Sequence, residues 1–149
     1  MQKFHLAQVN ISKLLEPIDS PLLSDFVAQL DEINALAEQS KGFVWRLKGD
    51  NENATALRVF DDEMIIINMS VWESIEDLRE FAFKTAHASV MRGRNKWFAK
   101  PTEAMLALWW IPENYTPTPQ DAKERLVSVN KIGATPFAFT FKDVFLPTV

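Results

Sequence analysis

Two side chains in this sequence are equipped to move a proton or hold an anion: His87 and Arg94. His87 is one of only 2 histidines, and imidazole titrates close to neutral pH. It lies inside a helical pattern, with Met91, Arg94 and Phe98 at helical spacing on about the same face. A pocket-facing ring there acts as general acid and base. A core-facing ring is instead a structural histidine, hydrogen-bonded to a strand carbonyl or to Asn68. Arg94 belongs to a cluster with Arg92, Lys96 and Lys100 at the end of the same stretch. Cations at a helix C-terminus offset its dipole and face solvent, which accounts for Arg92, Lys96 and Lys100. For Arg94 that role stands level with bidentate binding of a carboxylate or phosphate.

Amides within apolar patterns are the second signal. Asn10, Asn34 and Asn68 each interrupt a run of hydrophobic residues. A buried amide has to be hydrogen-bonded, so each is either a structural clamp or a pocket contact. Asn10 and Asn68 are the stronger pocket candidates, and Gln8 shares the strand parity of Asn10. There are 5 tryptophans, Trp45, Trp72, Trp97, Trp109 and Trp110, and most such rings serve the core or an interface. Trp45 and Trp97 each stand beside a cation, Arg46 and Lys96, and are expected to frame a flat aromatic acid.

Other chemistries drop out on composition and spacing. With 0 Cys there is no disulfide, thiolate metal site or Cys nucleophile. The two histidines form no His-x₃-His or Glu-x-x-His pair, so no protein-built metal site is expected. Only 4 Gly are present, and none builds a phosphate-cradling loop. No Ser sits in a nucleophile elbow. A net charge of −4 gives no general attraction to nucleic acid or anionic lipid. The segment Lys41-Gly42-Phe43-Val44 faintly echoes an RNA-binding motif, but it precedes the second strand and not the third. The longest apolar run, Met105 to Ile111, is far too short to span a bilayer. The start has no secretory pattern, so a cytoplasmic protein with no membrane partner is expected. At 149 residues, 47% hydrophobic and 24% charged, residues 1–149 read as one globular domain.

The elements that must position these residues follow in order. Residues 4–11 read as a strand. Ser20-Pro21 is a helix start, and Leu23, Phe26, Val27, Leu30, Ile33 and Ala37 keep the helical period up to Lys41-Gly42. Residues 43–48 form a second strand, 49–63 a loop, and 64–71 a third strand. Ser74 with Asp77 opens a second helix, which runs to Phe98 with a bend near Lys84-Thr85. A fourth strand covers 104–111. Thr118-Pro119-Gln120-Asp121 caps a short third helix that Gly133 ends, and 136–141 adds an edge strand. The order β-α-β-β-α-β predicts an α+β, ferredoxin-like antiparallel sheet with its main helices on one face. Strands three and four are apolar on both faces, so the second face needs its own cover. The third helix is short. A second copy of the chain is the better candidate, giving a homodimer in which two sheets close a barrel.

Several blocks then acquire a family look: residues 5–11, Gly42-Phe43-Val44-Trp45-Arg46, residues 68–74, Thr85-Ala86-His87, Arg94-Asn95-Lys96-Trp97-Phe98 and Leu108-Trp109-Trp110-Ile111-Pro112. Across residues 4–141 the chain resembles an uncharacterised bacterial family, a domain of unknown function in the dimeric α+β barrel superfamily, beside the antibiotic-biosynthesis monooxygenases. The resemblance implies a homodimer with a pocket between sheet and helices for a small flat aromatic ligand. It implies a monooxygenase, cofactor-free or haem-linked, in which His87 carries a proton and Asn10 polarises the substrate or a peroxide. Trp45, Asn68, Arg94 and Trp97 are then the expected ligand contacts. Haem-degrading members use a first-strand Asn and a second-helix His, matched here by Asn10 and His87. Their helical Trp is replaced by Asp77, ten positions before His87. No cofactor is therefore expected, with haem as the open exception. The other reading is a non-catalytic small-molecule or haem-binding, stress-related module.

Overall fold

The structure is a computed structural model that describes residues 3–17, 19–47, 65–84, 97–99 and 105–147. Strand β1 (Phe4–Lys13) leads through a 3-10 turn (Pro21–Leu23) into helix α1 (Ser24–Gln39). Ser20 is extended, with φ −74° and ψ 154°, and Pro21 starts the turn with its fixed φ. After Ser40, Gly42 takes φ +83°, open to glycine at little cost, and the chain reverses into β2 (Phe43–Arg46). Strand β3 (Ile65–Trp72), helix α2 (Ile75–Lys84), strand β4 (Leu106–Pro112) and helix α3 (Pro119–Ile132) follow. The second-helix reading to Phe98 extends beyond α2 into residues 85–96, outside the described residues, and His87 and Arg94 lie there.

The four strands are ordered β2-β3-β1-β4 and every pair is antiparallel. This is the strand order of a ferredoxin-like α+β sheet, as the element order predicts. Register sorts the side chains. Leu6, Gln8 and Asn10 stand opposite Trp72, Ser70 and Asn68 of β3 on one side. They stand opposite Trp110, Leu108 and Leu106 of β4 on the other. All nine share one face of the pleat. The opposite face carries Ala7, Val9 and Ile11 with Ile67, Met69 and Val71, and with Ala107, Trp109 and Ile111.

The first face packs against α1 and α2 through Ala37, Ile75, Leu78 and Phe81. The second face was expected to need another copy of the chain. Instead α3, 14 residues long, lays Ala122, Leu126 and Val129 over it. Within the single chain Val9 is 0% exposed and Met69 and Trp109 are each 1% exposed. The short-helix argument therefore gives way: three apolar positions at helical spacing cover that part of the sheet, and the second face is not bare.

Helix α3 is anchored at its N-terminus and at its middle. Thr118 and Asp121 form a reciprocal capping box, Thr118 Oγ1 accepting from Asp121 N at 3.1 Å and Asp121 Oδ2 accepting from Thr118 N at 3.0 Å. Tyr115 donates its hydroxyl to the same carboxylate. Burial pushes the Asp121 carboxyl up, but the hydrogen bonds from Tyr115 and Thr118 and the nearby Arg125 together hold it below its ordinary value. The same bond to Asp121 raises the Tyr115 phenol. Arg125, lowered by burial, lies 3.8 Å over the Phe137 ring and donates to the Phe137 carbonyl at 2.9 Å.

Beyond α3 the chain wraps the β4 edge. The edge strand expected over 136–141 shrinks to one bridge, in which Leu108 and Phe139 exchange backbone hydrogen bonds of 2.7 and 2.9 Å. Pro136 and the bends around it keep the segment from running on as a strand. Ala138 joins the core under α3, whereas Phe139 turns into the core under α1 and α2.

Candidate functional site: an amide-floored cleft between sheet and helices

The first sheet face is apolar at its edges and polar at its centre. Gln8 is 2% exposed and Ser70 is 7% exposed. Buried groups of this kind are costly unless satisfied, and here the satisfaction is mutual. Gln8 Nε2 donates to Asn68 Oδ1 at 2.8 Å and to Ser70 Oγ at 2.7 Å. Asn10 Nδ2 donates to Gln8 Oε1 at 3.1 Å and to Asn68 Oδ1 at 3.4 Å. Trp72 Nε1 donates to Ser70 Oγ at 2.8 Å. The register explains why these groups meet: Gln8 faces Ser70 and Asn10 faces Asn68 as direct cross-strand pairs.

Above this ladder α1 and α2 part to leave a cleft of about 580 Å³ of non-atom space, open mouth included. Its floor is Gln8, Asn10, Asn68, Ser70 and Trp72. Ile33, Asn34 and Ala37 of α1 form one wall, and Leu78, Phe81 and Ala82 of α2 another. Leu106 and Phe141 close the β4 side. Trp72 is pinned by Phe81, 5.3 Å away and stacked, and by the edge of Phe43 at 5.5 Å. The Phe141 backbone is held by Arg79 Nη2, which donates to its carbonyl at 3.2 Å.

Arg46 is the charged member of the described lining. It enters the cleft because β2 is irregular. Phe43 pairs with Trp72, but the register shifts before Trp45, which pairs with Val71, leaving Arg46 opposite Ser70. Simple alternation from Phe43 would put Trp45 on the cleft face and Arg46 on the other. The extra residue reverses that parity. Trp45 accordingly packs against the α3-side core, so the expectation that it frames a flat aromatic acid is corrected by the bulge.

The other expected residues divide as follows. Asn10 and Asn68 line the cleft together, and Gln8 with them. Trp97 does not. It is 3% exposed in a satellite cluster with Leu14, Leu23 and Phe26, its ring 5.5 Å from Phe26. Backbone bonds fix it there, Leu15 N donating to the Trp97 carbonyl at 2.9 Å and Ala99 N to the Lys13 carbonyl at 2.7 Å. His87 and Arg94 lie outside the described residues. Ser70 is a cleft residue that sequence reasoning passed over; Asn34, ranked below Asn10 and Asn68, and Arg46, named only as the cation beside Trp45, line the cleft as well. Ser70 was findable, since it has the parity of Asn68.

Haem needs an axial His, Cys, Met or Tyr. None of the described lining residues is one of these, so the described cleft does not by itself fit haem. Among the described residues there is no cluster of three metal-ligating side chains, and no helix is long and apolar enough to cross a membrane.

Comparison with known proteins adds the following. The model of a family described as a domain of unknown function, DUF3291, matches residues 5–149. No curated protein matches the chain. Among solved structures, a protein of unknown function from Nitrosomonas europaea is 13% identical, with 80% of this chain and 98% of that one covered at TM-score 0.48. A second from that bacterium, named "Putative antibiotic biosynthesis monooxygenase", is also 13% identical, covering 77% and 94% at TM-score 0.48. The PA3566 protein of Pseudomonas aeruginosa is 9% identical, covering 77% and 99% at TM-score 0.49.

Proposed function

The chain belongs to the DUF3291 family, a domain of unknown function, so its role has to come from the cleft, and we propose that the cleft binds a small, flat, partly polar organic molecule. One observation carries this reading: a ladder of amides and a hydroxyl is built into the centre of an otherwise apolar sheet face, at the foot of a cleft with aromatic and aliphatic walls. Small-molecule sites have this make-up, apolar walls with a few convergent polar groups. A sheet centre needing only stability is better filled by Val or Leu. The ladder also keeps capacity in reserve. Asn10 Oδ1 and the Asn68 amide hydrogens have no partner among the described residues, so they offer an acceptor and donors side by side.

The test is side-chain amide NMR with benzamide, which presents a flat ring and one donor–acceptor edge. The Asn10 and Asn68 amide signals should shift, and Asn68→Ala should weaken binding. Shifts confined to other parts of the protein would overturn the reading. A catalytic extension gives His87 the proton-carrying role and Asn10 the polarising role of a monooxygenase. Oxygen uptake with a catechol or quinol substrate, lost in His87→Ala and Asn10→Ala, is what it requires. Equal uptake by both variants leaves the cleft as a binding site only.

A further inference from the structure

We infer that the cleft selects a carboxylate-bearing ligand and that Arg46 is its anchor. This rests on the cleft being a binding site, and goes beyond it by naming the ligand's charge and the residue that reads it. The Arg46 side chain is 10% exposed, although it carries a full charge. Its described partner is Glu38, which accepts from Nε alone at 3.3 Å. A guanidinium has five N–H donors in a planar fork. The two terminal nitrogens, which form the edge best matched to a carboxylate, have no partner among the described residues.

Burying a cation with most of its donors unspent among the described residues is costly, and a positive group on a cleft wall with no second role would sooner be Leu or Met. Its placement is equally particular. The β2 bulge turns Arg46 onto the cleft face and sets it opposite Ser70, in the same cross-strand row as Gln8. Neighbouring strands lie about 4.8 Å apart, so Arg46 and Gln8 are about two strand spacings from one another. That span suits one ring: a carboxylate on the Arg46 fork, the ring against Leu78 and Phe81, and a polar substituent at Asn10 and Asn68. Glu38 holds the Nε corner, which fixes the plane of the fork and leaves its bidentate edge for the ligand.

The test compares benzoate with benzamide, the same ring with and without the charge, by NMR titration of the full chain. Charge-assisted pairs are roughly twice as strong as neutral ones, so benzoate should bind about tenfold more tightly. Arg46→Gln should bring the two ligands to equal affinity, and Arg46→Lys should restore only part of the preference, since Lys lacks the fork. Equal affinity of the wild-type protein for both probes overturns the inference and leaves the binding cleft standing. Benzoate preference that persists in Arg46→Gln overturns it as well. Absence of cleft shifts with either probe at millimolar concentration removes both readings. The wild-type comparison needs no variant, so a poorly folding substitution does not shelter the inference.

Discussion

Ser70→Ala removes one oxygen and disturbs two buried donors. Trp72 Nε1 donates to Ser70 Oγ at 2.8 Å, and Trp72 is 0% exposed. It has no other hydrogen bond partner among the described residues, and the indole is itself fully buried. An orphaned buried donor costs about 1–3 kcal/mol. Gln8 Nε2 loses its 2.7 Å bond to Ser70 but keeps Asn68 Oδ1 at 2.8 Å, so its loss is one ordinary hydrogen bond, about 0.5–1.5 kcal/mol. The sum is about 2–4 kcal/mol, a large part of the 5–15 kcal/mol that holds a domain folded. In urea, with a slope of about 2 kcal/mol per molar, the midpoint should fall by about 1–2 M with the slope unchanged. A double-mutant cycle isolates the cause. In a Trp72→Phe background there is no indole donor to orphan, so Ser70→Ala should cost only about 1 kcal/mol, giving a coupling of about 1–3 kcal/mol. A loss below about 0.5 kcal/mol, or additivity of the two substitutions, would refute the idea that the ladder is a closed network.

Three further outcomes are expected. Leu126→Ala, which withdraws a 3%-exposed side chain from the second sheet face, should cost about 2–5 kcal/mol in guanidinium unfolding; an effect under about 1 kcal/mol means α3 does not cover that face in solution. Gly42→Ala should be worse than a left-handed strain of about 1–2 kcal/mol, because the new methyl would lie 2.6 Å from Asp77 Cβ and collide with its carboxylate; thermal denaturation checks this. The lowered Asp121 carboxyl stabilises the fold fully above its ordinary value of 3.8, and that contribution fades as pH falls through its lower folded-state value; Asp121→Asn should flatten acid unfolding in that range, and an unchanged acid limb would count against the capping box.

Much of the framework was legible because each signal was local. Gly42 and the Thr118–Asp121 pair mark helix ends through their own backbone chemistry, whereas Ser20 makes no capping bond and Pro21 opens a 3-10 turn, with α1 beginning at Ser24. The shared parity of Gln8 and Asn10 survived because β1 is regular through the middle of the sheet. What was not legible depended on other segments. Nothing near Phe43-Val44-Trp45-Arg46 announces a bulge, yet one extra residue exchanged Trp45 for Arg46 at the cleft. The length of α3 was readable, but whether three apolar residues suffice to cover the second face depends on how the strands twist beneath them. Trp97 looked like a pocket residue because of its charged neighbour, whereas its ring is fixed by Phe26 and Leu23, distant in sequence.

The wrapping of the last segment around β4 also sets a timetable. A chain made from its N-terminus has β1, α1 and β3 available early, but β4 begins at Leu106 and α3 at Pro119. Until both have emerged, the central strand β1 lacks one neighbour and the face with Val9 and Met69 lacks its cover. The aromatic that closes the other face, Phe139, comes later still. The second face therefore awaits residues 106–132, the first is completed only with Phe139, and a nascent chain paused before them exposes apolar sheet surface. A chain stopped between β3 and α3 is therefore expected to aggregate and not to fold as a smaller domain.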